Sequence, residues 1–177
     1  MIKPEKPHDE ALRQEALMRY RILDTGREHS FDDLVAIAKT ICGASMGAVS
    51  LIDGERQWFK AIVGIDAEEN DRETSFCGHA ILQPQEVMVV EDAQRDVRFH
   101  DNPVVVDDPH IRFYAGAPLL SQDGFALGTL CVFDSSPGQL DEEQTQAMAA
   151  LSRQVSLVME LRRFALEVQQ HMLQRQG

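Results

Sequence analysis

The segment 74-TSFCGHAIL-82 has the residues of this chain with the clearest capacity for chemistry. Cys77 and His79 are separated by one glycine and flanked by apolar residues. A thiol and an imidazole at this spacing are compatible with a nucleophile and its base, with half of a metal site, or with a cofactor attachment point. If Ser75 caps a short helix, Cys77 lies in its first turn, where free amides lower a thiol pKa. The alternatives without chemistry are a pocket wall, or a small buried Cys77 with His79 bonded to nearby backbone.

A metal site is not supported by the spacing of the remaining ligands. His100 and His110 could add to the Cys-x-His pair, but two ligands so close together do not make a recognisable site, and no second pair exists. The three cysteines, Cys42, Cys77 and Cys131, have no zinc-like spacing, and their odd number favours a reducing cytoplasm over a disulfide framework. We predict no metal and no cofactor, and leave a small-molecule ligand open.

The charge of the chain excludes two classes of partner. Its 177 residues include 29 acidic and 17 basic side chains, for a formal charge of −12. Phosphate-rich surfaces repel such a protein, so we expect neither non-specific nucleic-acid binding nor binding to anionic membranes. The polar opening MIKPEKPHDE is not a signal peptide, and no apolar run approaches the roughly 18 residues of a membrane span. We predict a soluble, cytoplasmic protein.

Helical periodicity occurs at both ends of the chain. Apolar spacing predicts an amphipathic helix over residues 10–23 and a second helix capped by Ser30 and ended by Gly43. A third helix begins after Asp141, whose capping box is completed by Gln144. The buried faces of the first two helices are predicted to include Leu12, Ala16, Tyr20, Leu23, Leu34, Ile37, Ala38 and Ile41.

The third helix has a second apolar pattern along its length. From Leu151 to Met172 the apolar residues recur with a mean spacing of 3.5, the coiled-coil period. Packing on its own domain is one explanation of this pattern. We prefer pairing of its distal half with the same helix of a second subunit, because the helix is longer than so small a domain can cover.

The middle of the chain has strand periodicity. Two hairpins are predicted, turning at Asp53-Gly54 and at 121-SQDG-124, with a shorter strand between them. In the last strand, Leu127, Cys131 and Phe133 are predicted on one face, opposite Leu130 and Val132, so both faces must be covered. Residues 66–72 read as a charged loop and 93–111 as a long irregular loop. The predicted strands are 48–53, 56–64, 87–92, 112–120 and 125–134. The chain is therefore assigned to the α+β class around an antiparallel sheet.

The ordered set of segments resembles the GAF domain, a small ligand-sensing module of signalling proteins. The resemblance is to the bacterial subgroup found ahead of sensor histidine kinases and diguanylate cyclases, or alone. It implies a central antiparallel sheet of about six strands with the terminal helices on one face. A pocket closed by the short helix and the long loop is implied on the other face, and dimers through the terminal helices are common. The segments are 21-RILDT-25, 31-FDDLVAIAKTICG-43, 48-AVSLIDGERQWFKAIVG-64, 75-SFCGHAI-81, 91-EDAQRDVRFHDNPVV-105, 110-HIRFYAGAPL-119 and 127-LGTLCVFD-134.

Three known activities within that family fit this sequence poorly. The segment 77-CGHA-80 is similar to one in free methionine-(R)-sulfoxide reductase, but that chemistry needs a second pocket thiol. Residues 93–111 contain no cysteine, and Cys131 reads as core. Phytochrome-type members attach a bilin through an adjacent Cys-His pair, whereas here Gly78 intervenes. The cyclic-nucleotide motif is not matched.

Residues expected at the pocket come from the short helix, the long loop and the strands. Arg112 and Tyr114 share a strand face, where the arginine could bind a carboxylate or phosphate or pair with a structural Asp101. Trp58 and Phe59 lie on opposite faces, so one of them faces the pocket. The ligand-binding residues that we predict are Trp58, Phe76, Cys77, His79, Phe99, Asp101, His110, Arg112, Tyr114 and Thr129.

The sequence predicts a sensory domain over residues 10–160, after a flexible segment 1–9 and before a helical extension 161–177. Its expected function is to bind a small molecule and to relay pocket occupancy through a dimerising terminal helix to an output domain or to a kinase or cyclase partner. A thiol enzyme using Cys77 is the alternative, and we predict no catalytic residues for the leading interpretation.

Overall fold

The computed structural model describes residues 1–175 and has an α+β architecture, as predicted. Helices α1 to α5 span Glu10–Arg19, His29–Cys42, Phe76–Ala80, Pro103–Val106 and Glu142–Gln174. Strands β1 to β6 span Met46–Asp53, Arg56–Val63, Glu69–Asp71, Met88–Val90, Phe113–Leu120 and Ala126–Asp134. No helix within residues 1–175 combines the length and apolarity that crossing a membrane requires.

The six strands form one antiparallel sheet in the order β3-β2-β1-β6-β5-β4. The two predicted hairpins are confirmed: β1 pairs with β2 and β5 pairs with β6. The central strands β1 and β6 are buried along nearly their whole length. Both faces of the sheet are therefore covered, which is why these strands read as continuously apolar.

The two faces of the sheet carry separate hydrophobic cores. Helices α1, α2 and α5 pack on one face around Phe31, Trp58 and Leu130. Helix α3 packs on the other face, around Phe76, Phe99 and Phe133. This division confirms the predicted arrangement of terminal helices on one side and the short helix on the other.

The ends of the long helices follow from local chemistry. Gly43 ends α2 in the left-handed conformation, with φ of 63°. Asp141 accepts a hydrogen bond from the Gln144 amide at 2.7 Å and its own amide donates to the Gln144 side chain at 2.9 Å, which confirms the predicted capping box. Ser30 is not a cap, because α2 already begins at His29 with Glu28 in the cap position. Helix α1 ends at Arg19 rather than at residue 23, because Arg21 and Asp24 take the left-handed conformation, with φ of 48° and 60°.

Several apolar helix residues predicted as buried are exposed. Leu12 on α1 is 54% exposed, and Ile37 and Ile41 on α2 are 46% and 38% exposed. These residues lie outside the stripe that meets the sheet, so the apolar surface of each helix is wider than its contact within the chain. The distal half of α5 shows the same property at Leu161 and Phe164, which are 60% and 63% exposed.

A bulge in β6 reverses one predicted side chain. Leu119 pairs with Gly128 while Leu120 pairs with Ala126, so β6 holds one additional residue there. Leu127 consequently packs in the helix-side core, and its predicted place beside Cys131 was wrong. Gly128 lies so close to β1 that an added Cβ would come within 1.9 Å of the Ser50 carbonyl oxygen.

Segments without predicted structure hold short elements and a packed terminus. The charged loop 66–72 contains β3, and the long loop 93–111 contains α4. The N-terminal segment, predicted to be flexible, lies across α3: the Ile2 amide donates to the Arg98 carbonyl at 3.0 Å, and the Ile2 carbonyl contacts His79 Nε2 at 3.0 Å. Helix α5 continues through residue 160 without a break, so the domain boundary expected there stays a prediction.

Candidate functional site

A cavity of about 130 Å³ lies on the sheet face opposite the terminal helices. The strands β2, β5 and β6 form its floor, α3 forms one wall, and α4 with the end of the long loop closes it. Its apolar lining includes Phe59, Ile62, Phe76, Val104, Ile111 and Phe133. The predicted position of the pocket, between sheet, short helix and long loop, is the position that the structure shows.

The wall of the cavity is mainly apolar and carries a few uncharged polar side chains. Among residues 1–175, no Lys, Arg, His, Asp or Glu side chain lines it. Gln57 on β2 and Asn70 on β3 lie opposite each other in the strand register and both contribute amide side chains. Their oxygens are buried and accept no hydrogen bond from any described residue. Burying an oxygen without a hydrogen-bond donor costs about 1–3 kcal/mol. A ligand that donates hydrogen bonds to these two amides would recover that cost.

Two thiols and two hydroxyl groups meet beside the cavity. The Sγ atoms of Cys77 on α3 and Cys131 on β6 are 3.8 Å apart, and both residues line the cavity. Tyr114 Oη donates to Cys77 Sγ at 3.2 Å, and Thr129 Oγ1 donates to it at 3.1 Å. Both cysteines are free and buried. The Cys77 sulfur therefore accepts two hydroxyl hydrogen bonds and has the Cys131 sulfur within contact distance.

The environment separates the acidities of the two thiols. Burial raises the pKa of Cys77, but the contact with the Cys131 thiol and the hydroxyl groups of Ser50, Thr129 and Tyr114 outweigh burial and lower it to about 7. The hydrogen bond with Cys77 and burial together raise the pKa of Cys131 well above its ordinary value. Burial and the neighbouring Cys77 charge likewise keep the Tyr114 hydroxyl protonated. Cys77 is thus the thiol that ionises first, because its anion is the one that accepts hydrogen bonds.

Local sequence features position this cluster. Ser75 Oγ accepts from the Gly78 amide at 3.0 Å, which confirms Ser75 as the cap of α3 and fixes Cys77 against the sheet. Gly116 lies two residues along β5 from Tyr114, and a Cβ there would come within 2.1 Å of Tyr114 Oη. Because Gly116 has no side chain, the tyrosine ring lies over it and its hydroxyl reaches Cys77.

Of the residues predicted at the pocket, a compact subset comes together. Phe76, Cys77 and Tyr114 line the cavity, and Thr129 lies behind Cys77 as its hydrogen-bond donor. Phe99 stacks on the outer side of Phe76 at a centroid distance of 4.0 Å, so it supports the wall without reaching the cavity. Their roles in ligand binding stay predictions.

The other predicted residues lie elsewhere. Trp58 packs in the helix-side core, and Phe59 takes the cavity side because strand residues alternate. His79 points away from the cavity to the Ile2 carbonyl, and burial lowers its pKa. Asp101 and His110 are exposed, as is usual for residues at turns.

Arg112 contacts backbone carbonyl oxygens, and Asp101 pairs with the N-terminal amine instead. Its guanidinium donates to the carbonyl oxygens of Val105 at 2.8 Å and Ile111 at 3.0 Å, and so ties α4 and the loop to β5. Arg112 is not among the residues that line the cavity, and its predicted role in binding a carboxylate or phosphate stays a prediction. No group of three or more possible metal ligands occurs within residues 1–175.

Sequence reasoning missed Gln57, Asn70 and Cys131. Asn70 lies in a segment without strand periodicity. Gln57 lies two residues from Phe59 on β2, so its side chain can be placed at the cavity only once Phe59 is known to face it. Cys131 was predicted on a core face, and that face is the floor of the cavity. The strand alternation that placed Cys131 opposite Leu130 was the signal that could have found it.

Comparison with known proteins settles the family. A GAF domain family model matches residues 26–159. The chain belongs to the GAF domain family. It is 40% identical over 156 residues to a cyclic di-GMP phosphodiesterase of Pseudomonas aeruginosa, an alignment that covers 88% of this chain and 26% of that protein. This GAF domain thus spans about a quarter of the relative's length.

Solved structures show the same fold at low sequence identity. The GAF domain of an Acinetobacter phosphoenolpyruvate-protein phosphotransferase matches with a TM-score of 0.62 and 20% identity, covering 84% of this chain and 93% of that one. Free methionine-R-sulfoxide reductase from Neisseria meningitidis, in complex with its substrate, matches with a TM-score of 0.62 and 18% identity. This match covers 93% of this chain and 98% of that one. The blue-light absorbing form of the Thermosynechococcus elongatus PixJ GAF domain matches with a TM-score of 0.61 and 19% identity. This match covers 93% of this chain and 97% of that one.

Proposed function

We propose that this GAF domain is a regulatory module that binds a small uncharged molecule between its sheet and α3. The observation that carries this proposal is the cavity of about 130 Å³ whose wall lacks ionisable cations and carboxylates within the described chain. The amides of Gln57 and Asn70 would orient the ligand, and the aromatic and aliphatic wall would bury its apolar part.

Size and charge narrow the ligand class. A cavity of about 150 Å³ holds a molecule such as benzene, so this slightly smaller one suits a ligand of roughly six or seven non-hydrogen atoms. A cyclic nucleotide or a tetrapyrrole exceeds that volume several-fold. A free amino acid would bring two charges into a wall that has no counter-charge, which is unfavourable by several kcal/mol.

The long helix α5 is the proposed route from the cavity to an output. Its distal apolar residues at the coiled-coil period, including Leu161 and Val168, are exposed in the single chain. We infer that they pair with α5 of a second copy and form a homodimer in the cytoplasm. The likeness to a cyclic di-GMP phosphodiesterase supports control of cyclic di-GMP turnover by an attached or partner output domain.

Paired substitutions on α4 test the cavity. Val104 lines the cavity, whereas Val106 on the same short helix is 56% exposed and lies outside it. Phenol, a neutral donor of suitable size, should raise the melting temperature of the wild type and of Val106→Phe by about 3 °C at ten times its Kd. Val104→Phe fills the cavity and should remove that shift, while cyclic GMP should shift none of the three proteins.

Two results would contradict the proposal. The first is an equal phenol shift in Val104→Phe, which would place binding elsewhere on the surface. The second is a stabilisation by cyclic GMP that Val104→Phe abolishes, which would show that the cavity opens for a large charged ligand. Calorimetric titration of each protein gives the stoichiometry and separates these results from general effects of phenol on stability.

A thiol-dependent enzyme is a second candidate, favoured by one observation. The sequence-based objection was the lack of a second pocket thiol, yet Cys131 lies 3.8 Å from Cys77. The uncharged wall opposes a zwitterionic substrate such as free methionine sulfoxide. Measuring reduction of free methionine-(R)-sulfoxide by the wild type and by Cys77→Ser decides this: an activity that the substitution abolishes supports the enzyme.

A further inference from the structure

We propose that Cys77 and Cys131 are a hydroperoxide-reactive thiol pair that closes to a disulfide in the cavity wall. This inference concerns the chemistry of the two thiols, and it goes beyond ligand binding and relay through α5. Either property can fail while the other holds.

The positions of the two sulfur atoms make the disulfide accessible. Their separation of 3.8 Å must shorten by about 1.8 Å to reach a disulfide bond length. Cys131 is fixed on β6, between β1 and β5. Cys77 lies on a helix of five residues that borders the cavity, so α3 has free space beside it into which to adjust. The approach is therefore made by α3 and not by the sheet.

The surroundings assign different roles to the two thiols. Tyr114 and Thr129 both donate to Cys77 Sγ and so stabilise a thiolate there. Cys131 Sγ has the Ala48 carbonyl oxygen at 3.7 Å, a contact that favours the protonated thiol. Cys77 is the nucleophile, and Cys131 is the resolving thiol. The lowered pKa of Cys77 and the raised pKa of Cys131 agree with this assignment.

The chemistry balances with an organic hydroperoxide as the oxidant. The Cys77 thiolate attacks the terminal oxygen of ROOH, the O–O bond breaks, and RO⁻ leaves and takes a proton to become the alcohol ROH. Cys77 is then a sulfenic acid. The Cys131 thiol loses its proton and attacks the Cys77 sulfur, the S–O bond breaks, and hydroxide leaves as water. Two thiols are oxidised to a disulfide and one hydroperoxide is reduced.

The cavity selects the class of oxidant. Both sulfurs are nearly inaccessible from bulk water, with Cys77 and Cys131 only 2% and 1% exposed, and they are reached through an apolar, uncharged chamber. A neutral alkyl hydroperoxide of about six non-hydrogen atoms fits the chamber and is favoured over charged oxidants. Closing the disulfide draws α3 toward β6 and moves Phe76, so oxidation changes the shape of the cavity.

The test uses the full chain, fully reduced and then treated with a small excess of tert-butyl hydroperoxide. We expect a loss of two hydrogen atoms in intact mass and a peptide cross-link between Cys77 and Cys131. Cys131→Ser should instead leave a Cys77 sulfenic acid that dimedone traps, and Cys77→Ser should react at least about tenfold more slowly. Cys42, whose pKa burial raises to about 11, is the control, and Cys42→Ser should behave as the wild type.

Three outcomes would overturn the proposal. They are an unchanged mass under conditions that oxidise the denatured chain, a cross-link through Cys42, and equal rates in the wild type and Cys77→Ser. Because a serine variant can lose stability, Tyr114→Phe supplies a second measurement. It removes one donor to Cys77, and the pH of half-maximal oxidation should therefore rise above that of the wild type. Phenol binding is measured separately on the reduced protein, so failure of the thiol chemistry is distinguished from failure of ligand binding.

Discussion

A carboxylate on α1 joins two buried arginines, and its removal should destabilise the whole domain. Glu10 accepts two hydrogen bonds from Arg13, at 2.8 and 2.9 Å, and also pairs with Arg72. Arg13 and Arg72 are 1% and 2% exposed. Arg72 Nη1 further donates to the Gly54 carbonyl at 2.9 Å. The cluster thus ties α1 to the β1–β2 turn and to the segment that leads into α3.

The magnitude follows from the acidity of Glu10. Burial alone raises its pKa, but the hydrogen bonds from Arg13 and Arg72 reverse this and lower it from 4.5 to about 2. At about 1.4 kcal/mol per pH unit, that difference corresponds to about 3.4 kcal/mol. Because Glu10 is partly exposed, solvent screening reduces the contribution, and we expect Glu10→Gln to lower the free energy of unfolding by about 2 kcal/mol at pH 7.

The pH dependence gives the sharper test. The folded pKa lies below the unfolded value of 4.5, so the stabilisation is fully present above pH 4.5 and is lost as the pH falls toward about 2. Urea unfolding at pH 7, 5 and 3 should therefore show a difference between wild type and Glu10→Gln that is constant down to pH 5 and smaller at pH 3. Glu15→Gln, on an exposed position of the same helix, should stay within about 0.5 kcal/mol of the wild type throughout. A Glu10→Gln effect equal to that of Glu15→Gln, or one unchanged at pH 3, would refute this reasoning.

Two further predictions concern the sheet and the long helix. Gly128→Ala should lower the free energy of unfolding by more than about 2 kcal/mol in urea titration, because its Cβ would meet the Ser50 carbonyl. Gly26→Ala, where a Cβ meets nothing within 4 Å, should stay near the wild type, and equal effects of the two substitutions would contradict this account. Leu161→Asp should convert a dimer at tens of micromolar to a monomer in analytical ultracentrifugation, while Gln170→Asp on the opposite face of α5 should leave the dimer intact. A monomeric wild type would remove the proposed pairing of α5.

The features readable from sequence were those set by local periodicity and turn chemistry. Strand alternation and the Asp53-Gly54 turn predicted the first hairpin, and the capping box at Asp141 predicted the start of α5. Both depend on residues adjacent in the chain. Leu127 failed because a one-residue bulge reverses facing, and nothing in its neighbours marks that bulge apart from Gly128.

The candidate site was predictable where it rests on one segment and not where it joins several. Phe76 and Cys77 were found because 74-TSFCGHAIL-82 carries its own capping signal. The approach of Cys131 to Cys77 depends on how α3 packs on β6, which is a long-range property. The partners of Arg112 could not be predicted, because they are backbone carbonyls and those acceptors have no signature in the sequence.

The N-terminal segment crosses α3, which forms one wall of the cavity, so a force applied to the start of the chain is transmitted to that wall. An added Cβ on Gly78 would come within 2.8 Å of Pro4, so the segment and α3 are in tight contact. A polypeptide fused ahead of residue 1 would extend from the domain next to this contact, and a force on it would act directly on α3. The position of an affinity tag is therefore an experimental variable for this protein: a tag ahead of residue 1 would load the wall that carries Cys77, whereas a tag attached beyond α5 would leave that wall untouched.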